Sequence, residues 1–266
     1  MLLLPFLLAC SPDDPNLSDP LGSDEVRAGV VETPDALFGG ISAEGRVGDI
    51  KMYNSRSRWI LQGLREGSFY IAQGGTPIDA DLVRPEDQPG RDIVDEWGGM
   101  FGLGRLQGPQ TIEVLSNGVD DDIAHVRVSG GEAIMEFLTG AIESDIVLDK
   151  GLNIVSDYRL EPDSPLLEVT TEITATKEAV SITVGDILMG SLEASDLWLP
   201  GQGLLYKDAE TWPWVGYLGR RNDIAVGIFS ASFDNARSWQ VVAGPRDLAR
   251  VFLSSSSYTE FHAAQE

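Results

Sequence analysis

One cysteine and two histidines in 266 residues leave this chain almost without soft metal ligands. A single cysteine excludes an intramolecular disulfide, so the fold must rest on its packed core. Two unrelated histidines and that one cysteine speak against a zinc site. His262 stands near the end of the chain, beside the nondescript "AAQE". His125 alternates with Arg127 between apolar residues, as on a half-exposed strand. No G-x-S-x-G accompanies it, so no hydrolase-type nucleophile is signalled. P-loop and G-x-G-x-x-G motifs are missing too; "GGMFGLG" has glycines but neither pattern. Basic residues are scarce, 19 against 42 acidic, for a net charge of −23. That charge repels phosphate backbones and disfavours nucleic acid as a partner. No apolar run approaches the ~20 residues of a membrane-spanning helix. The expectation is a protein with no cofactor, no metal and no nucleic-acid partner.

What the chain does have begins at its start. Leu2 to Ala9 are apolar apart from Pro5. As a helix they reach about 12 Å, too short to span a bilayer but suited to the core of a secretory signal. The quartet Leu7-Leu8-Ala9-Cys10 resembles the bacterial lipobox. That resemblance implies a diacylglycerol on the Cys10 sulfur, cleavage before Cys10, and acylation of the new amino group. The stretch that follows, "SPDDPNLSDPLGSDE", is rich in Pro, Ser and Asp and reads as disordered. The expected organisation is therefore a signal peptide at 1–9, a lipidated disordered tether at 10–25 and one domain at 26–266. Such a protein belongs in a bacterial cell envelope, facing the periplasm or the cell surface. Its membrane partner is reached through the lipid.

The domain's periodicity is mostly two. "LLEVTTEIT" places Leu167, Val169, Thr171 and Ile173 on one face and Glu168, Thr170 and Glu172 on the other. Many similar short runs, separated by turn signals such as "SNGVDDD" and "EPDSP", predict an all-β antiparallel sandwich or barrel, of which the sandwich is the expectation. Helical spacing is best over Gly131 to Ser144, which equally fits two strands broken at Gly140. Two stretches read as long loops, Gly74 to Gly104 and Leu192 to Trp214, and long loops on a β scaffold are where function usually sits.

The second loop is the richest in recognition chemistry. Trp198, Trp212, Trp214 and Tyr217 fall close together, interleaved with Asp196, Asp208, Glu210 and Arg220. Flat aromatic faces beside planar polar groups suit a sugar ring. The same aromatics would equally serve to close one end of a sandwich. Other acidic pairs carry less. Glu168 and Glu172 share a face but lie ~13 Å apart along an extended strand, beyond the roughly 5–9.5 Å of glycoside hydrolysis. The aspartates of "NGVDDD" lack the spacing of a calcium loop and read as a solvated turn.

One longer pattern is recognisable. Gly48-Asp49-Ile50, Asn54, Gly74-Gly75, Asp79, Asp81-Leu82 and Arg84 resemble the amino-terminal domain of large exported lipoproteins of myxobacteria. "SDYRLEPDSPLLEVTTEIT" is similar to central strands of the galactose mutarotase-like super-sandwich. The second resemblance implies a super-sandwich and a carbohydrate-handling ancestry. Mutarotases use histidine acid–base residues, and no histidine here lies in a matching motif. The leading expectation is a non-catalytic envelope module that binds or displays, with carbohydrate as its ligand class. The alternative is an epimerase- or lyase-like enzyme using carboxylate, Tyr and Arg chemistry. A second alternative is a structural spacer for a downstream domain.

Overall fold

The computed structural model describes residues 15–67, 71–102, 104–135, 150–177, 180–182, 184–190, 195–198, 211–212, 214–219, 223–229, 239–243, 250–254 and 259–261. Among these the chain is all-β, as its period-two patterning predicts. The only helical turn among the described residues is Pro34–Ala36. The first strands are β1 (Val26–Val30), β2 (Ile50–Asn54), β3 (Ser57–Leu61) and β4 (Pro77–Leu82). They are followed by β5 (Val94–Phe101), β6 (Arg105–Asn117), β7 (Ala124–Ile134), β8 (Leu152–Leu160) and β9 (Leu167–Ala175). Then come β10 (Val180–Ile182), β11 (Val184–Gly190), β12 (Ser195–Trp198), β13 (Thr211–Trp212) and β14 (Trp214–Gly219). The last are β15 (Ala225–Phe229), β16 (Trp239–Ala243), β17 (Arg250–Ser254) and β18 (Thr259–Phe261).

The four-stranded sheet β1-β2-β3-β4 is an antiparallel meander. The large sheet runs β13-β16-β17-β11-β5-β6-β7-β8-β9. A three-stranded sheet β12-β14-β15 and the pair β10-β18 complete the set. The two main sheets face each other as a sandwich. Val26, Ala28, Ile50, Met52 and Leu61 of the small sheet pack on Val126, Val128, Tyr158 and Leu160 of the large one. β7 and β8 alternate buried and half-buried residues, because their other face meets solvent. The long β6–β7 ribbon carries bulges at Pro109/Thr111 and Val114/Ser116, which sharpen its twist.

Two expectations need correction. Gly74 to Gly104 is not a loop, since it contains all of β4 and β5. Its opening Gly74-Gly75 is a tight entry to β4, with φ of 82° and 78°. A Cβ on Gly75 would stand 2.8 Å from Val128 Cγ1, and its carbonyl accepts from the Tyr158 hydroxyl at 3.0 Å. The second correction concerns the tether. Between Asn16 and Leu21 it is fastened to the small sheet through Leu17, Leu21 and backbone carbonyls, although most of its side chains are exposed. Leu17 is buried with Val31, Phe38, Tyr53 and Ile60, and this cluster covers the outer face of that sheet. β2 is consequently buried at every position. Gly131 to Ile134 belongs to β7, so no helix starts at Gly131; residues 136–144 lie outside the described residues.

Candidate functional site

The longest sequence pattern is built into the interior. Asp49 is fully buried, and each of its oxygens takes two bonds. Oδ1 accepts from Gly63 N and Arg65 Nε, both at 2.8 Å. Oδ2 accepts from Arg46 N at 2.7 Å and Arg65 Nη2 at 2.8 Å. Asp81 holds Arg58 Nη2 at 2.8 Å and Arg84 Nη2 at 3.0 Å, and also accepts from Leu82 N and Arg91 N. Asn54 donates to the carbonyls of Glu161 and Ser164, both at 2.7 Å, and so ties β2 to the turn before β9. The motif residues are thus joints between segments distant in sequence. Their acceptors are already filled by backbone N–H groups and arginines.

Two further carboxylates sit beside them. Asp79 accepts from Glu44 N at 2.8 Å and Gly45 N at 2.9 Å. Asp92 Oδ1 accepts from Ala80 N at 2.8 Å and Val94 N at 3.1 Å. Its Oδ2 is buried with no hydrogen-bond partner among the described residues. Burial pushes Asp79 up to about 7 against the pull of its backbone donors. Burial, reinforced by the Asp79 charge, pushes Asp92 up to about 8. Neither group reaches solvent, so they can hold protons but not a soluble substrate. Among the described residues no group of three or more His, Cys, Asp or Glu side chains is arranged to hold a metal ion. Sequence reasoning missed Asp92 altogether. The available signal was weak: an Asp between Arg91 and the apolar pair Ile93-Val94, just before β5.

His125 lies on the solvent face of the large sheet. Its Nε2 is 2.7 Å from Asp157 Oδ1, and Arg127 grips the same carboxylate through Nε at 2.9 Å and Nη2 at 3.0 Å. The Arg127 hydrogen bond holds the Asp157 carboxyl below its ordinary value. Ser116, which pairs with His125 across β6 and β7, donates its hydroxyl to Ile123 O at 2.6 Å. It is therefore turned to the backbone, and the trio is an ion-pair bridge between β7 and β8.

The aromatic segment divides. β12 and β14 pair so that Asp196 stands opposite Leu218 and Trp198 opposite Gly216. β14 and β15 pair Gly216 with Gly227 and Trp214 with Phe229. Residues directly opposite share a face, so this register aligns Trp198 with two glycines, next to the Trp214–Phe229 row. Glycine at 216 follows from strand pairing, since a Cβ there would collide with the Val226 carbonyl oxygen. Trp214 is half-buried and Phe229 is 52% exposed. Tyr217 points to the other side. It is buried with Ile93, Leu188 and Ile224, and its hydroxyl donates to Leu188 O at 3.1 Å. That makes it a core residue, not a stacking surface. Trp212 is separate, on β13 at the edge of the large sheet opposite Trp239. Asp208, Glu210, Arg220 and Cys10 lie outside the described residues.

The end of the sandwich at the β6–β7 turn is acidic. Asp24, Asp122 and Glu161 line one shallow cleft there. Asn16, Asp19, Glu25, Asn117 and Asp120 line its neighbour. Gly118 turns the chain with φ of 75°, Asn117 Oδ1 accepts from Val119 N at 2.9 Å, and the three aspartates point to solvent. No protein-family model matches this chain, and comparison with curated proteins and with solved structures finds no match.

Proposed function

We propose that this chain is a bacterial envelope lipoprotein, held by lipidated Cys10, whose β-sandwich binds a carbohydrate rather than transforming one. The observation that carries the reading is the register of β12, β14 and β15. It sets Trp198 in line with Gly216 and Gly227, and Trp214 with Phe229 one step along. A strip of sheet without side chains, bordered by aromatic positions, is the right shape for a pyranose to lie on. The buried carboxylates favour binding over catalysis, because Asp49, Asp79 and Asp81 are spent on backbone and arginine partners. The likeness to exported myxobacterial lipoproteins belongs to the same reading.

Two results test it. Trp198→Ala and Trp214→Ala should each weaken glycan binding by on the order of 1 kcal/mol or more, several-fold in Kd, with little change in thermal midpoint. Binding is measured on a glycan array with the detergent-solubilised protein, then by titration calorimetry. If both variants lose several kcal/mol of stability instead, the tryptophans are core and the carbohydrate reading falls. Cys10→Ser should move the protein from the membrane to the soluble fraction and abolish acyl mass. A wild-type protein without acyl mass would end the lipoprotein reading.

A further inference from the structure

The segment after Cys10 carries the two largest surprises in the fold, a buried lysine and a buried tyrosine aimed at a supposed tether. Lys51 Nζ donates to Leu17 O at 2.6 Å, inside the protein. The ammonium also sits 4.2 Å from the centre of the Tyr53 ring. The Tyr53 hydroxyl reaches Asp19 O at 3.0 Å and Asn16 O at 3.2 Å. Leu17 is 5% exposed, and Gly29 makes room for it: a Cβ there would stand 3.3 Å from Leu17 Cδ2. The segment also braces itself, with Asn16 Nδ2 donating to Asp19 Oδ1 at 2.7 Å. Lys51 and Tyr53 of β2 thus fasten the backbone carbonyls of the segment, in addition to the packing of Leu17.

We infer that this strap sets the height and orientation of the sandwich above the bilayer, with the β6–β7 turn as the end that faces the membrane. The inference rests on the lipoprotein reading of Cys10. With the strap fastened at Asn16, only five residues, spanned by six Cα–Cα steps, separate the lipidated cysteine from the folded body. At ~3.3–3.6 Å each, they reach about 20 Å at most. A chain free as far as Val26 would reach roughly 55 Å. The leash leaves the domain beside Asn117 and Asp120, which line the same cleft as Asn16 and Asp19. The opposite end of the sandwich, at Leu152 and Ala175, lies about 27 Å farther along β8 and β9. The membrane-facing end is acidic, through Asp19, Asp24 and Asp120 to Asp122, while Glu25 is paired with Arg27. Repulsion from anionic headgroups keeps such an end from lying flat on the bilayer, whereas leash length acts on a zwitterionic bilayer as well.

The test uses energy transfer from a fluorophore on the domain to acceptor lipids in phosphatidylcholine vesicles. A lipidated Cys10 does not react with a thiol label, so one engineered cysteine is labelled uniquely, either Asp120→Cys or Lys177→Cys. Transfer should be stronger from Asp120→Cys. A ten-residue Gly-Ser insertion after Asp13 lengthens the leash without touching the strap, and should cause a loss of transfer from both positions. Leu17→Asp, which expels the strap, should cause the same loss in a protein that keeps its strand signal in circular dichroism. Equal transfer from the two labels, or an insertion that leaves transfer unchanged, would overturn the inference. Mass spectrometry separates the two failures. A protein with no diacylglycerol on Cys10 overturns the lipoprotein reading, and this inference with it. An acylated protein whose transfer ignores leash length overturns this inference alone.

Discussion

Asp49→Ala should cost about 3–5 kcal/mol, enough to lower the thermal midpoint by roughly 10 °C in a domain of this size. The carboxylate takes four donors: Gly63 N, Arg46 N, and both Nε and Nη2 of Arg65. Removing it leaves two backbone N–H groups without their acceptor in the interior. It also leaves a guanidinium that is only 22% exposed without its counter-charge. Unmade bonds to buried groups cost more than made bonds contribute, so the loss exceeds the worth of the ion pair itself. The exposed pair of Arg56 and Asp163 is the control. It has the same two-pronged geometry, but its side chains are 56% and 49% exposed. Arg56→Ala should leave the midpoint where it is, because water replaces the lost partner. Urea unfolding of both variants checks this. If they lose stability equally, burial is not what gives Asp49 its weight.

This contrast also explains what the sequence could and could not tell. "LNIVSDYRL" reads as a strand because one face of β8 meets solvent, so Leu152, Ile154, Ser156, Tyr158 and Leu160 alternate with wetter neighbours. "PIDADL" gives no such signal, because β4 is buried from Pro77 to Asp81. Its two aspartates look like loop chemistry, yet they are interior joints whose partners come from residues 44–45, 58, 84 and 91. The strap was hidden for a related reason. Its Pro, Ser and Asp content is that of a solvated linker, and it is fastened through its own carbonyls by side chains some 35 residues away. Composition carries no trace of a backbone bond. The aromatic cluster was legible only as proximity in sequence. Period two already separates Trp214 from Tyr217, three residues on, and the structure places them on opposite faces of β14. What no pattern in the sequence predicts is pairing order, which sends Trp198 to Gly216 but Trp212 to Trp239.

Asp92→Asn should stabilise the protein at alkaline pH and flatten its pH dependence. Asp92 and Asp79 titrate in the fold at about 8 and about 7, above the ~4 of an unfolded aspartate. A carboxyl raised in this way favours folding in its protonated form. Its contribution is fully present below the unfolded value and is lost as pH rises through the folded one. The wild-type midpoint should therefore be highest near pH 4 and fall as pH rises to about 8, levelling off above it. On the acid side the trend reverses, because Asp157 and Asp163 are held below their ordinary values and lose their partners when protonated. The groups facing Asp92 all act in one direction or the other. The carboxylates of Asp79 and Asp81 oppose its ionisation, and the N–H groups of Ala80 and Val94 support it. Net charge of −23 also weakens the fold at high pH, but through the whole surface. The variant separates the two causes. Asparagine keeps the acceptor for Ala80 and Val94, replaces the partnerless Oδ2 with an amide, and never ionises. At ~1.4 kcal/mol per pKa unit, it should add several kcal/mol at pH 8.5, only about 1 kcal/mol at pH 5, and nothing below the unfolded value near pH 4. Thermal melts of both proteins from pH 4 to pH 9 decide the matter. Parallel curves would mean that surface charge alone sets the slope and that Asp92 is ionised in the folded protein.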